Sequence, residues 1–304
     1  MRGRCSSRGR ILPAAVNGWA ATTSCGHACR LRPPSPQHWP AAGARVQAVI
    51  ALLAPIFQGA LAPLGEALRC SVPPPADAVR LADLVGQPSL LCDVLGRHAR
   101  WRRTEGGDRR AIASMWLLDY AATLLPPVVA AASVLHHVFP VGQDETWLQL
   151  DAQGAPRRFH VVQLGARLPD APASLRYAPL LDGHLGPLVR ALVTLTGVAP
   201  KILWGNVARR LEPILDQALI MTAGAASIAR DRQHLLGEAA WETSHGAMQR
   251  DNPLHGTQRV VRLFQEGHEV RFKLHRQCCL CHLLPSETYC RACPLAPAYA
   301  KDRS

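Results

Sequence analysis

Residues 108–139 read DRRAIASMWLLDYAATLLPPVVAAASVLHHVF, and the fold turns on how this stretch is read. Asp108 is a helix-capping residue type placed before a run in which Ile112, Met115, Trp116 and Tyr120 recur at helical spacing. That pattern predicts a helix over residues 109–125. Pro126 and Pro127 have no amide hydrogen to donate and predict a restart, with a second helix running to about residue 138. The apolar portion, 121–139, approaches the roughly 20 residues that cross a bilayer. It nevertheless contains both prolines, His136 and His137, so a buried helix with a break is the better reading. Residues 49–65 are also uncharged but are interrupted by Pro55, Gln58, Gly59, Pro63 and Gly65. A soluble, cytoplasmic protein is expected, with at most peripheral contact with the inner membrane.

Working outward, Pro73-Pro74-Pro75 stops the chain before a short amphipathic helical stretch, 76–85. Pro88 opens a helix over 89–103, whose basic end from Arg97 to Arg103 suits a helix C-terminus and reads as solvated rather than as a docking patch. Beyond residue 139 the period changes. Residues 146–150 and 158–164 are strand-like and flank a turn-rich loop, DAQGAP, which predicts a β-hairpin. Helices resume over 186–195, 203–221 and 225–240. The predicted class is α+β, predominantly helical, with a β-hairpin or small sheet and a short irregular C-terminal segment.

Composition supports a folded chain. With 304 residues, 48% hydrophobic and 18% charged, the sequence is too apolar for disorder and long enough for a sizeable core. The net charge of +12 comes from 31 arginines against Lys201, Lys273 and Lys301, a compositional skew that argues only weakly for nucleic acid. No nucleic-acid partner is expected. No acidic residue precedes Glu66, while Arg2, Arg4, Arg8, Arg10, Arg30, Arg32 and Arg45 crowd a region rich in Ser, Gly and Pro. Such a leader resembles a targeting peptide in composition. It lacks a signal-type apolar run, and an unstructured or wrongly started extension over 1–44 is the expectation. The main domain then covers 45–270, and a C-terminal cysteine segment covers 271–304.

That segment holds half of the ten cysteines: Cys278, Cys279, Cys281, Cys290 and Cys293. The spacing is C-C-x10-C-x2-C with Cys281 as an additional thiol inside the loop. Adjacent cysteines bridge each other only with strain, and the remaining chain shows no disulfide scaffold. Thiolates gathered in one loop repel each other unless a cation neutralises them, so the pattern points to a metal. Cys290 and Cys293 form a chelating knuckle, and the adjacent pair Cys278 and Cys279 completes four ligands. Zinc accepts four thiolates, usually from two separated knuckles; a [2Fe–2S] cluster divides them between two irons. Leu280, Leu283, Leu284, Pro285, Pro294 and Leu295 are the expected shield. His275 and His282 flank the cysteines and offer an alternative ligand type. His136 and His137, as helix neighbours, would diverge by about 100° and make a poor metal pair. The chain has no Walker loop and no convincing dinucleotide fingerprint, so any electrons it handles are expected to come from an external donor. Asn206 reads first as a helix cap; with Trp204 it is the sequence's candidate for substrate contact.

The run RQCCLCHLLP (276–285) followed by YCRACPL (289–295) resembles the C-terminal signature of the FhuF-type siderophore-iron reductases. IFQGALAPLGEAL (56–68), WLLDY (116–120) with LPP (125–127), LWGN (203–206) and NPL (252–254) are similar to further landmarks of that family. The resemblance covers about residues 46–295. It implies a [2Fe–2S] cluster on Cys278, Cys279, Cys290 and Cys293, with Fe(III)–siderophore, of hydroxamate type, as substrate. Cys281 departs from the family pattern and offers a possible exchange with Cys279. The readings that compete are a zinc-stabilised binding module and an iron–sulfur electron carrier without reductase turnover.

Overall fold

A 26-residue helix, Arg109–Val134, forms the axis of the molecule in this computed structural model, which describes residues 50–242, 249–265 and 268–303. The extension over 1–44 lies outside those residues. Two short 3-10 turns lead into α1 (Ala62–Gly65), β1 (Leu68–Cys70), β2 (Val79–Arg80), α2 (Leu81–Gly86) and α3 (Pro88–Trp101). The axial helix is α4. It is followed by β3 (His137–Val138), β4 (Thr146–Leu150), β5 (Pro156–Val161) and β6 (Ala166–Arg167). Then come α5 (Ala173–Leu180), α6 (Gly186–Thr196), α7 (Pro200–Met221), α8 (Ala226–Arg232), β7 (Ala240–Glu242), β8 (Gln249–Asp251), β9 (Val260–Gln265) and β10 (His268–Lys273). The class is α+β with helix predominating, as expected.

Helix α4 is apolar nearly all round, and such a helix belongs in an interior. Trp116, Leu117, Tyr120, Ala121, Leu124 and Leu125 are wholly inaccessible to solvent. In length and hydropathy it would suffice for a membrane span, but 78% of its apolar window is buried within the fold. Asp108 caps it as predicted, accepting from the Arg110 amide at 2.9 Å. The predicted break does not occur: Pro126 and Pro127 lie inside one continuous helix. Their missing donors cost a few kcal/mol locally. Burial of Leu124, Leu125, Val128 and Val129 on successive faces holds the helix through them.

The helix stops at Val134, because His136 takes a left-handed φ of 51° and His137 enters β3. The helical argument against a histidine pair therefore does not apply. Each ring instead donates to a backbone carbonyl, His136 to Pro169 at 2.9 Å and His137 to Leu164 at 2.6 Å. Two further boundaries differ: residues 76–85 divide into β2 and α2, and α8 gives way to a π-turn over Gln233–Gly237 before β7. The boundary drawn at 270/271 falls inside β10.

The predicted hairpin is present as β4–β5, within a four-stranded sheet ordered β1-β5-β4-β2. β1 runs parallel to β5, pairing Leu68 with Phe159, and the other neighbours are antiparallel. The WLLDY residues explain how α4 holds this sheet. Trp116 Nε1–H donates to the Gly154 carbonyl in the hairpin loop at 2.9 Å. Gly154 adopts φ +74°, and a Cβ there would lie 2.5 Å from the Val94 carbonyl oxygen, so only glycine fits between hairpin and α3. Tyr120 packs edge-on against Phe159 and donates to His184 Nε2 at 2.5 Å; His184 Nδ1–H in turn donates to the Val141 carbonyl.

Candidate metal centre and adjoining cleft

From β10 the chain passes through Leu274 and His275, whose amide donates to the Ala292 carbonyl at 2.9 Å, closing the cysteine segment into a loop. Leu280 turns it with a left-handed φ of 63°, and a 3-10 turn spans Cys281–Leu283. The Cys293 amide bonds the Cys290 carbonyl, giving the knuckle its tight return. All five thiols come together as residues that are 6% exposed or less. They pack on Ala111, Met115 and Leu118 at the start of α4, with Leu284 and Ala296.

Within the group, Cys293 donates to Cys278 across 3.5 Å, and the Leu280 amide donates to the same Cys278 sulfur at 3.3 Å. The thiol of Cys293 holds Cys278 below its ordinary range, and that bond pushes Cys293 up to about 11. Cys279 and Cys281 lie against Cys290 and draw it down to about 4, with His275 assisting. Cys281 is pushed strongly up by the same contacts and donates to the Thr288 carbonyl at 3.3 Å. The two thiols held low, Cys278 and Cys290, come one from each half of the motif. Among the described residues no three His, Cys, Asp or Glu are arranged to hold a single ion. The Cys290 sulfur meets those of Cys279, Cys281 and Cys293, and Cys278 meets Cys293; a buried, all-sulfur donor set of this kind is chemically suited to a thiolate-bound metal group.

The expected shield is only partly correct. Leu284 is buried, but Leu283 and Leu295 are 39% and 47% exposed, and the inner wall is α4. His282 stacks on Tyr289 with ring centroids 4.4 Å apart, its Nδ1 3.6 Å from Cys278 Sγ. Arg102, expected in a solvated helix end, is 11% exposed and lies 3.4 Å from Asp119 and 3.7 Å from Glu287, tying α3 to the cysteine loop.

Trp204 and Asn206 are likewise placed differently from expectation. Both lie inside α7, whose N-cap is Ala199, so Asn206 is no cap. Asn206 is wholly buried and cannot meet a substrate: its Nδ2 donates to Ser114 O and Oγ at 2.9 and 2.8 Å. Ser114 Oγ–H continues the chain to the Cys279 carbonyl at 2.7 Å. Gly205 completes the seat, since a Cβ there would stand 2.6 Å from Gln277 Cβ. Trp204 packs half-buried against the main core. The LWGN run is thus where α7 receives the cysteine segment. Ser114 was missed in the sequence because a lone serine on an apolar helix carries no signal of its partner.

Beside the centre a half-open cleft of about 510 Å³ separates α7 from β10 and the cysteine loop. Cys290 and His275 are among the residues that line it. Its walls bear Arg209, Arg210, Lys273, Arg276 and Arg291 against Glu212 and Asp216. Glu212 is the hub, bonding Lys273 Nζ and Arg276 Nη1 at 2.6 Å each and Gln258 at 3.1 Å. Burial pushes its carboxyl up, but those cations more than offset this and hold it below its ordinary range.

A search of curated proteins found no match. Among solved structures the chain is similar to ATP-bound aerobactin synthetase IucA from a hypervirulent pathotype of Klebsiella pneumoniae, with TM-score 0.47 and 17% identity over 59% of this chain and 37% of that one. It is also similar to aerobactin synthetase IucC from the same source, with TM-score 0.44 and 15% identity over 60% and 37%. The chain spans little more than a third of the length of those structures. The family model described as "Ferric iron reductase FhuF-like transporter" matches residues 114–271, from Ser114 on α4 into β10 and ending before the cysteines. The match takes in most of α4, the hairpin, the helices α5 to α8 and the α7 seat, and the chain belongs to the FhuF-like ferric iron reductase family.

Proposed function

We propose that this protein reduces Fe(III) bound to a siderophore of hydroxamate type, releasing it as Fe(II), with the chelate seated in the cleft between α7 and the cysteine loop. The observation that carries the reading is the position of that cleft, which has Cys290 in its wall. A volume near 510 Å³ lies within the range of small-ligand sites. Cys278, Cys279, Cys290 and Cys293 are the proposed holders of a [2Fe–2S] cluster, with Cys281 retained as a protonated neighbour. When bound, such a cluster supplies a one-electron donor of tunable potential.

The chain's own residues then have three tasks. Ala111, Met115, Leu118 and Leu284 keep water from the sulfurs. The Leu280 amide stabilises charge on Cys278, and the Asn206–Ser114–Cys279 bonds fix the loop against α4. The cleft brings the chelate close to Cys290. Hard oxygen donors hold Fe(III) far more tightly than Fe(II), so a single electron is enough to loosen the metal. The electron enters from a separate donor protein or reductant.

Anaerobic purification should give a reddish-brown protein with about two irons and two sulfides per chain. Mixed with a ferric hydroxamate, the dithionite-reduced protein should reoxidise and release Fe(II) to a ferrous chelator, with saturation in chelate. A colourless protein containing zinc refutes the reading in favour of a binding module. A reduced protein that ignores ferric chelates yet passes electrons to another protein refutes it in favour of a carrier.

A further inference from the structure

The cleft has a charge character that the proposed reaction does not require. Cysteine ligation and electron transfer would be served by an apolar or neutral wall, whereas this wall carries five cationic side chains and two carboxylates. The carboxylates are occupied from within: Glu212 by Lys273, Arg276 and Arg232, and Asp216 by Arg232 at 2.7 Å. Arg291 is different. It stands between Cys290 and Cys293, its guanidinium lies 5.1 Å from the Phe272 ring centroid, and it has no carboxylate partner among the described residues. Lys273, on β10 and in the same wall, remains half exposed although it touches Glu212. A cationic cleft with low-dielectric walls concentrates anions and repels cations.

We propose that the cleft selects ferric chelates bearing net negative charge through carboxylate groups, with Arg291 and Lys273 as the residues that determine the preference. This rests on the placement of the chelate in this cleft. Phe272 brings an apolar ring into the same wall, with the Arg291 guanidinium over it and Lys273 next to it along β10. A guanidinium on an aromatic face stays oriented and keeps its N–H edge available to a carboxylate. A neutral chelate would fit the volume without using these charges, and a cationic one would be disfavoured.

The test separates binding from reduction by using gallium(III), which resembles Fe(III) in charge and size but accepts no electron under these conditions. Ga(III) complexes of a carboxylate-bearing hydroxamate, a neutral trihydroxamate and a cationic trihydroxamate are titrated into the oxidised holoprotein by calorimetry. The anionic complex should bind at least about ten-fold more tightly than the neutral one and weaken as salt is raised. Lys273→Gln and Arg291→Gln should each remove most of that preference while leaving affinity for the neutral complex within about two-fold. The visible spectrum monitors the centre, and Lys273→Gln, distant in sequence from the cysteines, decides the matter if Arg291→Gln disturbs it. Equal affinity for all three complexes, or a preference insensitive to salt and to Lys273→Gln, overturns the inference. If the preference is found but no ferric chelate is reduced, the selection stands and the reductase reading falls. Reduction of ferric chelates without regard to charge has the opposite meaning.

Discussion

The helical body and the cysteine segment are stabilised by different chemistry. In the body, large side chains such as Trp116, Tyr120, Phe159 and Leu124 fill a continuous interior around α4. In the segment the interior consists largely of sulfur: five cysteines with Leu284 and Ala296, resting on one face of the same helix. A body of this kind is held by apolar burial, which needs no partner. The segment has little apolar surface to bury, and its thiols repel one another once ionised. The difference teaches that α4 carries two roles on two faces, one as a core helix and one as a platform against which the cysteine cluster packs.

The largest expected effect separates the two regions cleanly. Serine at Cys278 or Cys290 should abolish the visible spectrum and bound iron, while far-ultraviolet circular dichroism of the body stays near that of the parent. Cys281→Ser should keep the colour; bleaching by Cys281→Ser but not by Cys279→Ser would reassign the second ligand. Next in size is a substitution in the body. Trp116→Ala removes a wholly buried ring and its bond to Gly154, and should cost about 3–5 kcal/mol by denaturant titration. A change below about 1 kcal/mol would mean that α4 is not the axis of the core.

Acid should also act on the body first. Burial pushes His184 down to about 4 and His160 to about 4, and burial with Arg102 nearby pushes His98 to about 3. Their folded pKa values lie below the unfolded value near 6.5, so the unfolded chain binds protons more readily. Stability is therefore full above about pH 6.5 and is lost as pH falls toward 4, by up to about 1.4 kcal/mol per pH unit for each histidine. Melting temperature should drop across that window, and a flat profile down to pH 5 would contradict the neutral assignment. Oxidised protein at constant metal content is the sample to use, so that changes in the segment are seen separately.

Two smaller effects sharpen the boundary between the regions. Gly205→Ala places a methyl group against Gln277 and should cost about 1–3 kcal/mol, appearing mainly as faster loss of the centre rather than as unfolding of the body. If iron loss is unchanged, the α7 seat does not position the segment. Glu287→Ala breaks a contact of 3.7 Å with Arg102 and should change stability by less than about 1 kcal/mol.

The sequence by itself determined the class, the capped start of α4, the β4–β5 hairpin and the clustering of the cysteines. Each of these depends on residues near one another in the chain: a capping aspartate, a period of two, a spacing of thiols. It misjudged whatever depended on a distant partner. Pro126 and Pro127 ended a helix in the sequence, yet packing on every side carries α4 through them. Asn206 resembled a cap or a substrate contact, and only the crossing of α7 over α4 shows that it reaches Cys279 through Ser114. Leu284 shields the cysteines as its place in the chain suggests, but Leu283 and Leu295 do not, and the rest of the shield comes from Ala111, Met115 and Leu118, more than 150 positions earlier. The cleft could not be read from the chain at all. Arg209 and Arg210 on α7, Lys273 on β10 and Arg291 in the knuckle have no common pattern in sequence. Only the docking of the loop on α7 brings their charges into one wall, and charge acts through distance in space, not along the chain.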